Sequence, residues 1–170
     1  MTAMAAHESS VGVQEGGCWA LGILVEDNAG NRAAIGEKGG IDAVLTAMEG
    51  HGSSVGVRRW GCYALGHLAF GNINNRGTIV AGGGVETVLK AMDVHGSSAD
   101  VQLWGCRALL SVSSKKGEAV FVSRVQTEAR ARLRSGGFAV LARKALAAFP
   151  EHSHLQKYGK KLLQKLGWIK

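Results

Sequence analysis

An internal repeat of 44 residues is the feature of this sequence that most constrains its fold. Histidine, cysteine, glycine and alanine residues recur at this interval, as in the series His7, His51 and His95 and the series Cys18, Cys62 and Cys106. The surrounding words agree, as HESSVGVQEGGCWALG, HGSSVGVRRWGCYALG and HGSSADVQLWGCRALL show. Repeats of this length are typical of solenoids, in which each unit stacks on its neighbours to bury an apolar face.

Each unit is predicted to form helices separated by a glycine pair. Serines such as Ser54 and Ser98 precede apolar-periodic stretches, where a hydroxyl can cap the free N–H groups of a helix. The pair Gly39-Gly40 separates a short helix, roughly 31–38, from a middle helix, roughly 41–48. The chain contains one proline and only 6% aromatic residues. Long helices are therefore allowed, and an all-β fold is disfavoured.

The words of the repeat resemble those of the armadillo repeat family. The matching residues are Val13-Gln14-Glu15, Trp19-Ala20-Leu21, Asn28, Asn31-Arg32, Ile35 and Gly39-Gly40-Ile41. The resemblance covers residues 1–114 best, and HEAT repeats are the neighbouring alternative. It implies an all-α fold, namely a right-handed α-α superhelix (armadillo-like solenoid) of three to four repeats of about 44 residues.

The C-terminal part is predicted to be a degenerate repeat with an insertion. Gly136-Gly137 matches the earlier glycine pairs, and Leu155-Gln156 matches Val101-Gln102 at an interval of 54 residues. We expect one domain over residues 1–170. Its segments are roughly 7–50, 51–94, 95–149 with an insertion at 115–134, and a basic terminal capping helix at 150–170.

The first long helix has no complete repeat before it, so one apolar side is expected to be uncovered. This predicts either a fragment of a longer array or an end that pairs with another molecule, such as a second copy of the chain. No apolar run of 18 residues occurs, which argues against a membrane span. Three cysteines without close pairing favour a reducing compartment, so we expect a cytoplasmic or nuclear protein.

The repeated histidines and cysteines are expected to be structural. Stacked helices lie about 8–10 Å apart, whereas the ligands of one zinc ion lie about 2.0–2.1 Å from it. Histidines from successive repeats therefore cannot share a metal, and cysteines with apolar neighbours are more often core residues than nucleophiles. No nucleophile–base–acid set recurs. We expect no enzyme activity, no cofactor and no metal.

The third, long helix of each repeat is predicted to carry the partner-binding residues, because the resemblance implies a concave groove lined by these helices. Structural positions should keep their identity from repeat to repeat, while groove positions should vary. The variable positions are Glu15, Trp19, Arg59, Tyr63, His67, Leu103, Arg107 and Ser111. Trp60 and Trp104 either share this face or pack between repeats. The asparagine ladder of the family is missing, which argues against importin-like binding of basic peptides. The sequence predicts a non-catalytic scaffold for a protein or peptide partner.

Charge is distributed unevenly along the chain. Residues 1–114 contain 7 basic and 10 acidic residues, a net charge of −3, whereas residues 115–170 contain 13 and 3, a net charge of +10. The alternative function is thus an anion-binding surface for nucleic acid or acidic lipid, with candidates Lys157, Lys160, Lys161 and Lys165. Few aromatic residues interleave these lysines, which favours a solvated cap over a nucleic-acid site. Weak, salt-sensitive binding to polyanions is expected.

Overall fold

The structure, a computed structural model, describes residues 1–114 and 119–169, and these residues form helices and connecting turns without a strand. The helices are α1 Thr2–Ala6, α2 Val11–Val25, α3 Ala29–Glu37, α4 Gly40–Gly50, α5 Val55–Ala69, α6 Ile73–Ala81, α7 Gly84–Val94, α8 Ala99–Val112, α9 Ala119–Ser135, α10 Phe138–Ala148 and α11 Ser153–Lys165. The prediction of an all-α fold is confirmed. None of the helices in these two ranges has both the length and the hydrophobicity that crossing a bilayer requires.

The helices follow one another as triplets, which in the first two cases consist of a short, a middle and a long helix, while α9 is the longest helix of the third triplet. The triplets are α3-α4-α5, α6-α7-α8 and α9-α10-α11, preceded by the pair α1 and α2. The long helices α2, α5, α8 and α11 lie side by side in this order. This arrangement is an armadillo-like helical solenoid. The helix predicted at roughly 31–38 spans Ala29–Glu37, and the one predicted at roughly 41–48 spans Gly40–Gly50.

Each long helix starts at a capping side chain. The hydroxyls of Ser10, Ser54 and Ser98 accept hydrogen bonds from the backbone N–H three residues later. At α11 the Nδ1 atom of His152 accepts the equivalent bond from Leu155. These bonds satisfy donors that a helix start leaves free. The fourth cap follows the third by 54 residues, the interval found between Gln102 and Gln156.

The glycine pairs supply the turn before each middle helix. Gly39, Gly83 and Gly137 have φ angles of 80°, 76° and 72°. This left-handed region is open to glycine at little cost, because glycine has no Cβ. Helix α9, which precedes the third glycine pair as α3 and α6 precede the first two, has 17 residues compared with 9 in each of these. The predicted insertion at 115–134 also includes residues 115–118, which lie outside the described residues.

The core runs through all the repeats at equivalent positions. Leu21, Leu65 and Leu109 are 7%, 0% and 1% exposed, which confirms their prediction as buried equivalents. The side chains of Met4, Met48 and Met92 pack directly against Gly17, Gly61 and Gly105, where a Cβ would overlap them. Close approach of the middle and long helices thus explains the repeated glycine.

In α2, α8 and α11 a glutamine joins the start of the long helix to the end of the helix before it. The Nε2 atom of Gln102 donates to the carbonyls of Met92 and His95 at 2.7 and 3.1 Å. Gln14 and Gln156 make the same pair of bonds at their own positions. Helix ends leave carbonyls without partners, and the amide satisfies two of them. Arg58 takes the place of glutamine in α5.

Candidate protein-interaction face

The exposed side of the four long helices is the candidate site and is called here the third-helix face. Residues four positions apart lie on one side of a helix. Glu15, Trp19 and Ile23 therefore form one row on α2. Because α2, α5, α8 and α11 lie side by side, the equivalent rows of all four helices adjoin one another.

Four aromatic rings form a continuous ladder across three of these helices. The ring of Trp19 lies 6.4 Å from that of Trp60, which lies 5.5 Å from that of Tyr63. Tyr63 in turn lies 4.7 Å from Trp104. All three pairs meet edge to face, an arrangement that the charge distribution of aromatic rings favours. The ladder joins α2, α5 and α8 through side chains of the face itself.

Two arginines stack on the ladder. The guanidinium of Arg59 lies 4.3 Å from the ring centre of Trp60, and that of Arg107 lies 5.1 Å from that of Trp104. Arg59 also forms a salt bridge of 3.1 Å with Asp100. The face of an aromatic ring attracts a cation, and this contact limits the conformational freedom of the arginine side chain. Both arginines are therefore held in place before any partner arrives.

Exposure divides the eight predicted partner-binding residues into two groups. Trp19 is 48% exposed, while Glu15, Arg59, Arg107 and Ser111 are partly exposed. The structure buries the other three, Tyr63, His67 and Leu103, while the prediction that this set binds a partner stays a prediction. Tyr63 lies between Trp60 and Trp104, and its ring and that of His67 are 4.5 Å apart. These buried residues support the face from beneath.

Aromatic residues outside the predicted set complete the face. Trp60 and Trp104 do both things that the sequence left open, since they contact rings of neighbouring helices and remain partly exposed. Phe70 is 54% exposed, and the guanidinium of Arg32 lies 5.7 Å from its ring centre. Sequence reasoning missed Phe70 because it follows the end of α5, outside the helical pattern. Its signal was an aromatic residue where the other repeats have Glu26 and Ser114.

A hydrogen bond between Tyr63 and Glu26 joins the ladder to the end of α2. The hydroxyl of Tyr63 donates to Oε2 of Glu26 at 2.7 Å. Burial, and then this carboxylate, raise the pKa of Tyr63 to about 12. The Nε2 atom of His67 lies 3.9 Å from Oε1 of Glu26, and burial, followed by the charge of Arg107, lowers the pKa of His67. At neutral pH, Tyr63 therefore keeps its proton and His67 is uncharged.

The basic end of the face contains a pocket between α8 and α11 with a volume of about 260 Å³. Its lining consists of Phe70, Gly71, Arg107, Leu110, Ser111, Ser114, Tyr158, Lys161 and Lys165. Lys157, Lys161 and Lys165 form a row along α11, because they are four residues apart. Lys160 is also exposed, but it does not line the pocket. The structure thus separates the four candidate lysines.

The repeated histidines and cysteines occupy structural positions. The Nε2 atoms of His51 and His95 lie 2.7 and 2.9 Å from the carbonyl oxygens of Glu8 and Gly52, so each ring joins two successive loops. Burial raises the pKa of Cys18, Cys62 and Cys106 to about 12. Their thiols stay protonated at neutral pH. In the described part of the chain, no three His, Cys, Asp or Glu side chains are grouped in a way that could hold a metal ion.

Comparison with known proteins gives one family match. Residues 1–132 match the family model described as the LRRK2 ARM repeat. Searches of curated proteins and of solved structures find no match. The match covers more than half of the chain and includes the repeats that carry the aromatic ladder. The chain therefore belongs to the LRRK2 ARM repeat family of armadillo repeats.

Proposed function

We propose that this chain is a non-catalytic scaffold that holds a protein or peptide partner along the third-helix face. Armadillo repeats form helical scaffolds that commonly serve protein interaction, and the family supports such a role here. The aromatic ladder with its two stacked arginines is the observation that carries the proposal. Tryptophan, tyrosine and arginine are the side chains that most often dominate the binding energy of interfaces.

The ladder suits binding because its side chains are already ordered. Trp19 is about half exposed, yet its ring rests against Trp60. Arg59 is held both by the Trp60 ring and by Asp100. Ordering a long side chain at an interface costs about 0.5–1.5 kcal/mol. A partner that binds this face is spared much of that cost.

Capture from native lysate tests the proposal when parent and variants are compared. We expect Trp19→Ala and Arg59→Ala to weaken capture of the same partner, because both residues offer accessible surface on the face. Val140→Ala and Lys144→Ala are the matched controls, since these exposed residues lie on α10. Thermal unfolding checks that all four variants fold. A partner that both face variants capture as well as the parent contradicts the proposal.

Self-association is a second candidate for the same face, favoured by the exposed apolar residues of α2. Trp19, Ile23 and Leu24 on this helix are 48%, 45% and 53% exposed. Sedimentation velocity over a range of concentrations distinguishes the two candidates. A dimer that Trp19→Ala dissociates favours a second copy as the occupant, and a monomer at all concentrations leaves the face to another protein.

We place the scaffold function in the cytoplasm or nucleus, where the thiols of Cys18, Cys62 and Cys106 would stay reduced.

A further inference from the structure

We infer that the pocket between α8 and α11 binds a phosphate group on a phosphorylated serine or threonine of the partner. This inference rests on the proposed function, because the pocket lies on the third-helix face and would receive one side chain of a segment bound there. It adds a chemical requirement that the scaffold proposal lacks. The partner segment must carry an anion at the point where it reaches α11.

Arg107 supplies the central cation of the pocket. Its guanidinium lies between two rings, 5.1 Å from the centre of Trp104 and 5.9 Å from that of Tyr158. The corresponding stacked arginine on α5, Arg59, is neutralised by Asp100. Among the described residues, no carboxylate forms a salt bridge with Arg107. Its charge and planar set of donors therefore remain available for a bidentate contact, which phosphate geometry matches.

Two lysines and two serines complete the polar lining of the pocket. Lys161 and Lys165 follow one another by one turn on α11, and Ser111 and Ser114 lie across from them at the end of α8. As far as the chain is described, the lining contains no acidic residue. Arg107 and Lys161 bring two positive charges to one small pocket, and these match a group that carries about two negative charges near neutral pH. A single carboxylate would leave more of this charge uncompensated.

The apolar lining indicates that the anion arrives on a side chain. Phe70, Leu110 and Tyr158 form part of the wall, and Phe70 is 54% exposed at the rim. These groups can contact the carbon atoms of a phosphorylated residue and of its neighbours. A free ion would gain nothing from them.

Charge along the third-helix face argues against a continuous polyanion such as nucleic acid. The face is basic at Arg107 and Lys161 but acidic towards α2, where Glu15 and Glu26 are found. A polyanion lying along the face would be attracted at one end and repelled at the other. A peptide with one phosphorylated residue meets only the attractive end.

Nuclear magnetic resonance titration of the ¹⁵N-labelled full chain tests the inference. The probe is N-acetyl-O-phosphoserine amide, compared with N-acetylserine amide and N-acetylglutamate amide. We expect the phosphoserine probe to shift the backbone amide resonances of α11 and of the C-terminal ends of α5 and α8. The serine probe should shift none of them. The glutamate probe should bind at least about fivefold more weakly than the phosphoserine probe, since it carries one negative charge instead of nearly two.

Neighbouring lysines provide the matched pair of variants. Lys161→Gln should weaken binding of the phosphoserine probe by about fivefold, the upper end for one exposed ion pair. Lys160→Gln removes the same charge from the same helix outside the pocket and should change the affinity by less than about twofold. Equal losses in the two variants would mean that only net charge matters, and the inference would be overturned. Glutamate binding as tight as phosphoserine would overturn the choice of phosphate.

A vesicle arm separates a lipid headgroup from a phosphorylated side chain. Vesicles of phosphatidylcholine with 5% phosphatidylinositol 4-phosphate should retain the chain weakly and equally for the parent, Lys160→Gln and Lys161→Gln. Strong retention that only Lys161→Gln abolishes would assign the pocket to a membrane lipid instead. A single-stranded oligonucleotide should bind the two variants equally. If it bound the parent and Lys160→Gln but not Lys161→Gln, the assignment of the pocket to a phosphorylated side chain would be excluded.

Partner capture distinguishes failure of the pocket from failure of the scaffold. If Trp19→Ala weakens capture while Lys161→Gln and phosphatase treatment of the lysate do not, the scaffold stands and the pocket inference falls. If phosphoserine binding requires Lys161 but Trp19→Ala leaves capture intact, the pocket stands without the ladder. Loss of capture in both variants and after phosphatase treatment is the result we expect.

Discussion

The hydroxyl of Tyr63 donates a hydrogen bond to Glu26, the residue that directly follows α2, across a distance of 2.7 Å. Tyr63 belongs to α5, so this bond joins two successive long helices at the third-helix face. The ring of Tyr63 also lies against the backbone of Gly22, where a Cβ would overlap it. One side chain thus supports both the aromatic ladder and the contact between repeats.

Replacing this tyrosine separates the hydrogen bond from the ring. Tyr63→Phe should lower the free energy of unfolding by about 1 kcal/mol, because the carboxylate that loses its partner is accessible to water. Tyr63→Ala should cost about 3–5 kcal/mol, the usual range for removing a buried aromatic ring. Urea denaturation of the three proteins measures both values. Equal losses in the two variants would contradict the view that ring packing dominates.

The equivalent core leucines allow a direct test of the helical phase. Leu65→Ala should lower the free energy of unfolding by about 2–5 kcal/mol, because Leu65 is fully buried. Leu24 on α2 is 53% exposed and provides the control. Leu24→Ala should change stability by less than about 0.5 kcal/mol. Chemical denaturation measures both variants. A small loss of unfolding free energy for Leu65→Ala would show that this face of α5 is not in the core.

Arg58 is expected to be a destabilising departure from the repeat. It stands where Gln14 and Gln102 bind two helix-end carbonyls, and it is 1% exposed. Its Nη1 atom donates to the carbonyl of Thr87 at 3.3 Å, while its Nε atom has no hydrogen-bond partner within the described part of the chain. Burial lowers the pKa of its guanidinium, which reflects the cost of a charge away from water.

Arg58→Gln should therefore stabilise the chain by about 1 kcal/mol, the net value of a typical hydrogen bond, by restoring the bonds that Gln102 makes. The reciprocal change, Gln102→Arg, places a cation in the equivalent site and should be destabilising. Midpoints of urea denaturation at constant slope measure both changes. A less stable Arg58→Gln variant would show that the contact with Thr87 outweighs the burial of the arginine.

Most of the fold was predictable because its determinants repeat along the sequence. Ser54 and Ser98 mark the starts of helices. Gly39 and Gly83 form turns whose left-handed backbone conformation other residues cannot easily adopt. Both signals are local, so they survive without knowledge of tertiary contacts. The length of α9 was harder to predict, since no copy of it exists elsewhere in the chain.

The candidate site was only partly predictable, because burial depends on neighbours across helices. Tyr63 and Trp19 occupy equivalent positions, yet Tyr63 is 5% exposed and Trp19 is 48% exposed. The difference arises from Trp60 and Trp104, which flank Tyr63 on two sides. Helical phase gives the direction of a side chain, but it does not give the size of the residues that surround it.

The three cysteines should be inert in the folded chain. Burial raises the pKa of Cys62 to about 12, and the pKa values of Cys18 and Cys106 are raised to the same extent. Only the thiolate reacts readily with disulfide reagents. The native chain should therefore react slowly with 5,5′-dithiobis(2-nitrobenzoate) from pH 7 to 9, while the chain in urea should react fully. Rapid reaction of one thiol in the native chain would identify an accessible cysteine.

His67 should make the stability of the chain depend on pH. Burial, and next the charge of Arg107, lower its pKa in the folded state below the ordinary value of about 6.5. Below that pH, the unfolded chain takes up a proton that the folded chain resists, so the free energy of unfolding falls as pH decreases from 7 to 5. The charged or titratable groups that act on His67 are Arg107, Glu26, Asp27, Arg32 and the neighbouring Tyr63. The contribution of one such histidine to the free energy of unfolding cannot exceed about 1.4 kcal/mol per pH unit.

His67→Gln should remove this contribution, so the stability of the variant should change less over this range. Urea denaturation at half-unit steps of pH measures the difference, and parallel curves for parent and variant would show that His67 titrates equally in both states.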